Sequence, residues 1–169
     1  MKKSDVDQSV KYWQKEEETL DQSKRREIQL QRLKNLVAYV DRQVPFYHRK
    51  FVEAGITPEK IQSIEDIAQL PFTYKNDLRD NYPFGLFAAP SREIVRFHAS
   101  SGTTGKSIVV GYTQQDIALW ADVMGRTFYG GGVDDSDIVQ VAYGYGLFTG
   151  GLGAHYGAER IGAAVIPIS

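Results

Sequence analysis

The residues of this chain best suited to chemistry run Ser100, Ser101, Gly102, Thr103, Thr104, Gly105, Lys106 and Ser107. Gly102 and Gly105 let the backbone take positive φ and approach a ligand closely. The hydroxyls of Ser100, Ser101, Thr103 and Thr104 stand beside consecutive backbone N–H donors. Lys106 adds a mobile positive charge. Such a set suits an oxyanion, a polyphosphate above all. Charge-assisted hydrogen bonds are worth about 1.5–3 kcal/mol each, so a few together hold an ATP-like tail without a large apolar pocket.

The run misses a Walker A loop by one residue: Gly105-Lys106-Ser107 fits, but Ser100 stands at the first glycine position. Context separates the two further. A Walker loop leads from a strand straight into a helix, whose N-terminus completes the phosphate cradle. Here the β-branched Ile108-Val109-Val110 follows at once, and residues 93–98 alternate like a strand, so the loop is predicted to join two strands. The plainer alternative is a glycine-rich linker that binds nothing.

A second candidate is Tyr143-Gly144-Tyr145-Gly146-Leu147-Phe148-Thr149-Gly150-Gly151. It follows a predicted parallel strand at its carboxyl end, where α/β proteins place ligands. Its glycines allow sharp bends, and Tyr143, Tyr145 and Phe148 are placed to wall an apolar or aromatic pocket. The alternative is a packing corner of glycines and aromatics. His48, His98 and His155 have no metal-ligand spacing and read as structural, with His155 placed on the helix after the aromatic loop. Asp134, Asp135 and Asp137 read as a solvated turn, Lys24-Arg25-Arg26 as a solvated helix face. No Gly-x-Ser-x-Gly elbow is present.

The elements that must position these residues are legible in the periodicity. Residues 23–43 carry Ile28, Leu30, Leu33, Leu36, Val37 and Val40 near one helical face, and Pro45 ends that run. A short segment over 49–54 stops at Gly55. Thr57-Pro58 offers a hydroxyl cap with proline at the first helical position, and Ser63 to Asp66 a capping box. Leu70-Pro71-Phe72-Thr73 breaks the helical pattern. Thr113 to Asp116 is a second capping box, followed by the stripe Ile117, Ala121, Met124 and Phe128, with Gly130-Gly131-Gly132 as terminator. Residues 137–142 and 163–168 are buried-type strands separated by a helix over about 150–160, a βαβ unit with parallel strands.

Composition bounds the rest. The 169 residues suffice for one ordinary domain, with 42% hydrophobic and 24% charged residues. A net charge of −1 gives no general attraction for nucleic acid or an anionic membrane, and no apolar run is long enough to span a bilayer. With no cysteine there is no disulfide or thiolate chemistry, and the N-terminus is not a secretory signal, which makes the cytoplasm the expected location. Gly55 alone among the 16 glycines lies before residue 85. The expected fold is therefore α/β: a mainly helical region over 1–84, then over 85–169 the first part of a mixed or parallel sheet with crossover helices, rich in sheet and loop.

Four segments of the chain resemble the N-terminal part of a phenylacetate–coenzyme A ligase, within the adenylate-forming acyl-CoA synthetase superfamily. They are Leu70-Pro71-Phe72-Thr73, Tyr82-Pro83-Phe84-Gly85-Leu86-Phe87, the loop ending at Lys106 with Val109-Val110-Gly111-Tyr112-Thr113, and the stretch from Tyr143 to Glu159. The resemblance implies a two-step reaction. The carboxylate of an aryl-acetic acid attacks the α-phosphate of Mg-ATP to give an acyl-adenylate and pyrophosphate, and coenzyme A then takes the acyl group as a thioester. It implies that Ser100, Ser101, Gly102, Thr103, Thr104, Gly105 and Lys106 grip the β- and γ-phosphates, and that Tyr143 and Phe148 line the acid pocket, beside Tyr145.

The resemblance also implies that the catalytic lysine, the ribose-binding aspartate and much of the Mg2+ and coenzyme A contact lie in parts absent from these residues. None of these residues is therefore expected to be catalytic, and the chain alone is expected not to complete thioester formation. Two positions depart from the family pattern: Ser107 where proline usually follows the loop lysine, and Tyr74 where a second threonine is common. A parallel sheet ending near residue 169 would leave an unpaired edge, through which the chain is expected to self-associate or form a homodimer. A non-catalytic nucleotide-binding or self-associating module is the alternative to the ligase.

Overall fold

The computed structural model describes residues 12–100, 107–147 and 149–168. In chain order it contains helices α1 (Lys15–Glu18), α2 (Gln22–Gln43), α3 (Pro45–Glu53) and α4 (Lys75–Asp80), strands β1 (Ile94–Ala99) and β2 (Val109–Thr113), helix α5 (Gln114–Gly130), strand β3 (Ile138–Val141), helix α6 (Thr149–Arg160) and strand β4 (Ala164–Pro167). Strands β1 and β2 form an antiparallel ladder, β3 and β4 a parallel one. The mixed sheet expected from sequence is thus realised, among the described residues, as two separate two-stranded ladders.

The chain divides into two compact units. One comprises residues 20–118 with 145–149, and the other residues 12–19, 119–144 and 150–168. In the first, α2 starts at Asp21, whose Oδ1 accepts from Lys24 N at 2.9 Å, an N-cap that satisfies an otherwise unpaired backbone donor. Its apolar stripe buries Leu33 and Val37 against Phe51 of α3 and against Ile56 and Ile61 beyond it. Pro45 both ends α2 and opens α3, since a proline at the first helical turn has no N–H to waste. Gly55, at φ 64°, closes α3 so that Ile56 N reaches Phe51 O at 2.8 Å.

The helix expected from Thr57 shortens to one 3₁₀ turn (Pro58–Lys60), and its hydroxyl does not cap that turn. That hydroxyl instead holds the Glu59 carboxyl below the usual carboxylate range. The box at Ser63 forms as expected, with Asp66 Oδ2 accepting from Gln62 N and Ser63 N at 2.8 Å each. Helix α4 is tied back to α3 by one lysine. Lys50 Nζ donates to Asp77 Oδ2 at 2.9 Å and to Phe72 O at 2.7 Å, and lies 4.9 Å from the Phe46 ring centre. Asp77 also accepts from Tyr74 N at 2.8 Å. Those two donors hold its carboxyl below the usual carboxylate range, the backbone N–H being the larger influence.

In the second unit, Ala158, Ile161 and Ala163 are buried with Trp13, Phe128, Val133, Val139 and Val165 packed against them. Gly162, at φ 90°, ends α6 and lets Ala163 N bond to Ala158 O at 3.1 Å, which turns the chain into β4. The cluster of aspartates before β3 is a self-bonded turn: Asp134 Oδ1 accepts from Ser136 N at 3.0 Å, and Asp137 Oδ2 from Asp134 N at 2.8 Å. No described helix is long and apolar enough to cross a membrane.

Candidate functional site

The hydroxyl- and glycine-rich run lies on the connection of the antiparallel pair. The ladder reaches Ala99 opposite Val109, and beyond it Ser100 N donates to Ile108 O at 3.0 Å while Ile108 N donates to Ser100 Oγ at 3.2 Å. The run thus stands between two strands, as the β-branched residues from 108 implied, and the helix follows only after β2. There Thr113 N and Oγ1 each donate to Asp116 Oδ2 at 2.8 Å, and Asp116 N donates back to Thr113 Oγ1 at 3.2 Å, a reciprocal cap that starts α5 directly from the strand. Ser101, Gly102, Thr103, Thr104, Gly105 and Lys106 lie outside the described residues, as does Phe148.

The aromatic loop is brought to the same hairpin by its main chain. Leu147 O accepts two hydrogen bonds from the end of β1, one from Ala99 N at 3.0 Å and one from His98 Nδ1 at 2.9 Å. A carbonyl can only accept, so Nδ1 carries the proton in this contact. His98 is 2% exposed and meets the Tyr112 ring edge-on at 5.4 Å between centres. Within one compact unit, residues 145–147 therefore lie against the strand that runs into Ser100. Nothing in local periodicity announces this link, which spans 49 positions; the only sequence signal is a histidine at an inward-facing strand position.

Tyr143 belongs to the other unit, where its ring lies over the start of α6. A Cβ placed on Gly150 would come within 2.6 Å of the Tyr143 ring, and one on Gly151 within 2.6 Å of both Tyr143 O and Gly144 O. The two glycines are thus helical residues in close contact, at the start of the helix expected over about 150–160. His155, on α6, pairs with Glu159 one turn on at 3.1 Å, and His48 Nδ1 lies 3.0 Å from Asp41.

Cavity size would point elsewhere. A cleft of about 810 Å³ in the first unit is lined by Tyr39, Tyr47, Leu86, Phe87, Val110 and Gly111, among others, and by none of the candidate phosphate- or acid-binding residues. Recognition of a polyphosphate depends on convergent donors more than on enclosed volume, so the end of β1 with residues 145–147 remains the candidate site within the first unit.

Comparison with known proteins bears on what such a site serves. The phenylacetate–coenzyme A ligase of Pseudomonas putida is 57% identical over 144 residues, 85% of this chain and 33% of that protein. The ligase of the same name from Thermus thermophilus is 54% identical over 157 residues, 93% of this chain and 35% of that protein. This chain is homologous to one third of a phenylacetate–coenzyme A ligase. It spans about a third of the length of the curated relatives it matches. No family model matches it.

The structural likeness agrees. A 2-hydroxyisobutyryl-CoA ligase, solved with 2-HIB-AMP and CoA in its thioesterification state, superposes with a TM-score of 0.86 at 36% identity, over 92% of this chain and 34% of that one. The same ligase in its postadenylation state with 2-HIB-AMP superposes equally well, at 0.86 and 32% identity over 99% of this chain. The fold is that of a partial acyl-CoA ligase, mixed α/β with small sheets.

Proposed function

We propose that the chain is the anion-gripping and acid-binding part of an AMP-forming ligase that converts an aryl-acetic acid, phenylacetate by default, to its coenzyme A thioester. The observation that carries this reading is Leu147 O held by both Ala99 and His98, because it ties the aromatic loop to the strand entering the phosphate candidate. ATP phosphates meet Ser100 to Lys106, whose donors orient pyrophosphate as leaving group and neutralise its growing charge. Tyr143, Tyr145 and Phe148 wall the acid.

The hydroxyls, amides and single lysine of that loop fit an anion, and the Mg2+ that accompanies ATP would be held largely by the rest of such an enzyme. Coenzyme A takes the acyl group from the adenylate through contacts supplied by the rest of such an enzyme, including its adenylation lysine. A cytoplasmic location belongs to the same proposal.

The test is a chimera in which this sequence replaces the matching third of the Pseudomonas putida enzyme. It should form phenylacetyl-CoA with ATP and coenzyme A, and Lys106→Ala should raise the KM for ATP by about tenfold or more, the loss of one charge-assisted contact. A folded chimera that makes no thioester from any aryl acid overturns the reading. A second reading, self-association of the 169-residue chain, is favoured by the exposed Ile138 of β3 and Ile166 and Ile168 around β4. An elution volume that shifts with concentration supports it, and one that stays monomeric removes it.

A further inference from the structure

We infer that His98 is a positioning residue that holds residues 145–147 against the end of β1, so that ATP and acid binding depend on one shared carbonyl. The inference rests on the ligase reading above. Among the described residues His98 is the polar side chain that is buried, at 2% exposure. Burying an imidazole costs free energy unless its polar atoms are matched, and an apolar side chain would fill the same space without that cost. Packing therefore does not account for histidine at this position. A donor aimed at Leu147 does.

The contact at Leu147 is made by its main chain. The Leu147 side chain is 62% exposed, so apolar burial does not anchor the residue. Its carbonyl is fixed by Ala99 N, which any residue at 99 except proline would supply, and by His98 Nδ1, which depends on the side chain. Both donors sit immediately before Ser100, and the ladder fixes their direction through the pairing of His98 with Val110 and Ala99 with Val109. A displacement of residues 145–147 is thereby felt at the entry to the phosphate loop, and the reverse. Small misplacements of this kind are costly in ligand-positioning machinery.

Two measurements decide the matter. In the intact 169-residue chain, 15N spectra of the His98 ring should show Nδ1 protonated at neutral pH. A bare Nδ1 in the neutral ring overturns the inference whatever the kinetics. In the chimera, His98→Phe keeps a ring of similar size and removes the donor, whereas His98→Asn places an amide N–H near the position of Nδ1.

His98→Phe should raise the KM for ATP and for phenylacetate together, each by about tenfold, the equivalent of one buried hydrogen bond, while His98→Asn should recover most of both. Val37→Ala, in the core of α2, controls for lost stability and should leave both KM values unchanged. If His98→Phe moves neither KM, or if Val37→Ala moves them equally, His98 is only a packing residue. A parent chimera without activity instead sinks the ligase reading, and the ring tautomer still reports on the contact by itself.

Discussion

The two strand pairs of this chain are positioned by opposite means. The antiparallel hairpin holds its surroundings by groups that are present: Ser100 with Ile108, Thr113 with Asp116, and His98 and Ala99 on Leu147. The parallel pair is joined by α6, which holds its place by atoms that are absent. Cβ atoms at Gly151, Gly153 and Gly157 would approach Gly144 O, the Trp120 ring and Met124 Cβ to 2.6, 2.6 and 2.5 Å. One region should therefore fail when a group is removed, the other when a group is added. The distinction matters for function because hydrogen bonds fix direction as well as distance, which suits a loop that must aim donors at a ligand.

The largest effect should come from Gly151→Ala. Its Cβ meets two carbonyl oxygens of the main chain, and backbone cannot step aside as a side chain does. Overpacking of this sort costs typically about 1–3 kcal/mol, and near the first turn of α6 the propensity gain of alanine, at most about 1 kcal/mol, offsets little of it. Urea unfolding followed by tryptophan fluorescence should show a loss of about 2 kcal/mol. An unchanged midpoint would mean that α6 is not held by close approach, and the contrast with the hairpin would collapse.

Gly150→Ala sharpens the contrast within two adjacent residues. The added methyl meets the Tyr143 ring, a side chain and not the backbone, and Tyr143 is 63% exposed. Stability should change by less than about 1 kcal/mol, the scale of a tolerated surface change. The ring itself must shift by about 1 Å to regain ordinary contact distance. In the chimera the substitution should alter the preference between phenylacetate and a smaller acid, and this effect should vanish once Tyr143→Ala is also present. An effect that survives in the double variant would place it in the helix start, not in the ring.

These contacts also show where sequence reasoning reaches and where it stops. The stripe of Leu33 and Val37 made α2 legible, the β-branched residues from 108 onward made the hairpin legible, and the apolar runs around 139 and 165 gave the parallel pair and its crossover helix. Each is a local pattern with a fixed period. Glycine serves two physical ends: its abundance after residue 85 suggested sheet and loop, whereas within the helix expected over about 150–160 Gly151, Gly153 and Gly157 are buried, and their lack of a side chain is what packing in α6 requires. The contact of His98 with Leu147 leaves no periodic trace, since it depends on where two distant segments meet. The roles of Ser100 to Lys106, and of Phe148, rest on residue type and resemblance alone.

The smallest effect expected is that of acid on the donor-held side of the comparison. Asp77 is kept below the usual carboxylate range by Tyr74 N–H and then by Lys50, and Asp66 by the N–H groups of Gln62 and Ser63. A carboxyl whose folded pKa is depressed adds stability that is fully present above its unfolded value, near 3.9, and is lost as pH falls through the folded value. Between pH 5 and pH 2, the protection of amides in α4 and around Ser63, taken relative to the intrinsic exchange rate at each pH, should therefore fall. Asp77→Asn should bring the loss of protection in α4 forward to neutral pH and abolish its further response to acid. The glycine contacts of α6 involve no titrating group, and both tryptophans, Trp13 and Trp120, lie in that unit. Their emission should stay constant over the pH range in which α4 opens. Simultaneous loss of both signals would mean that the two regions unfold as one and that the difference in how they are held has no energetic consequence.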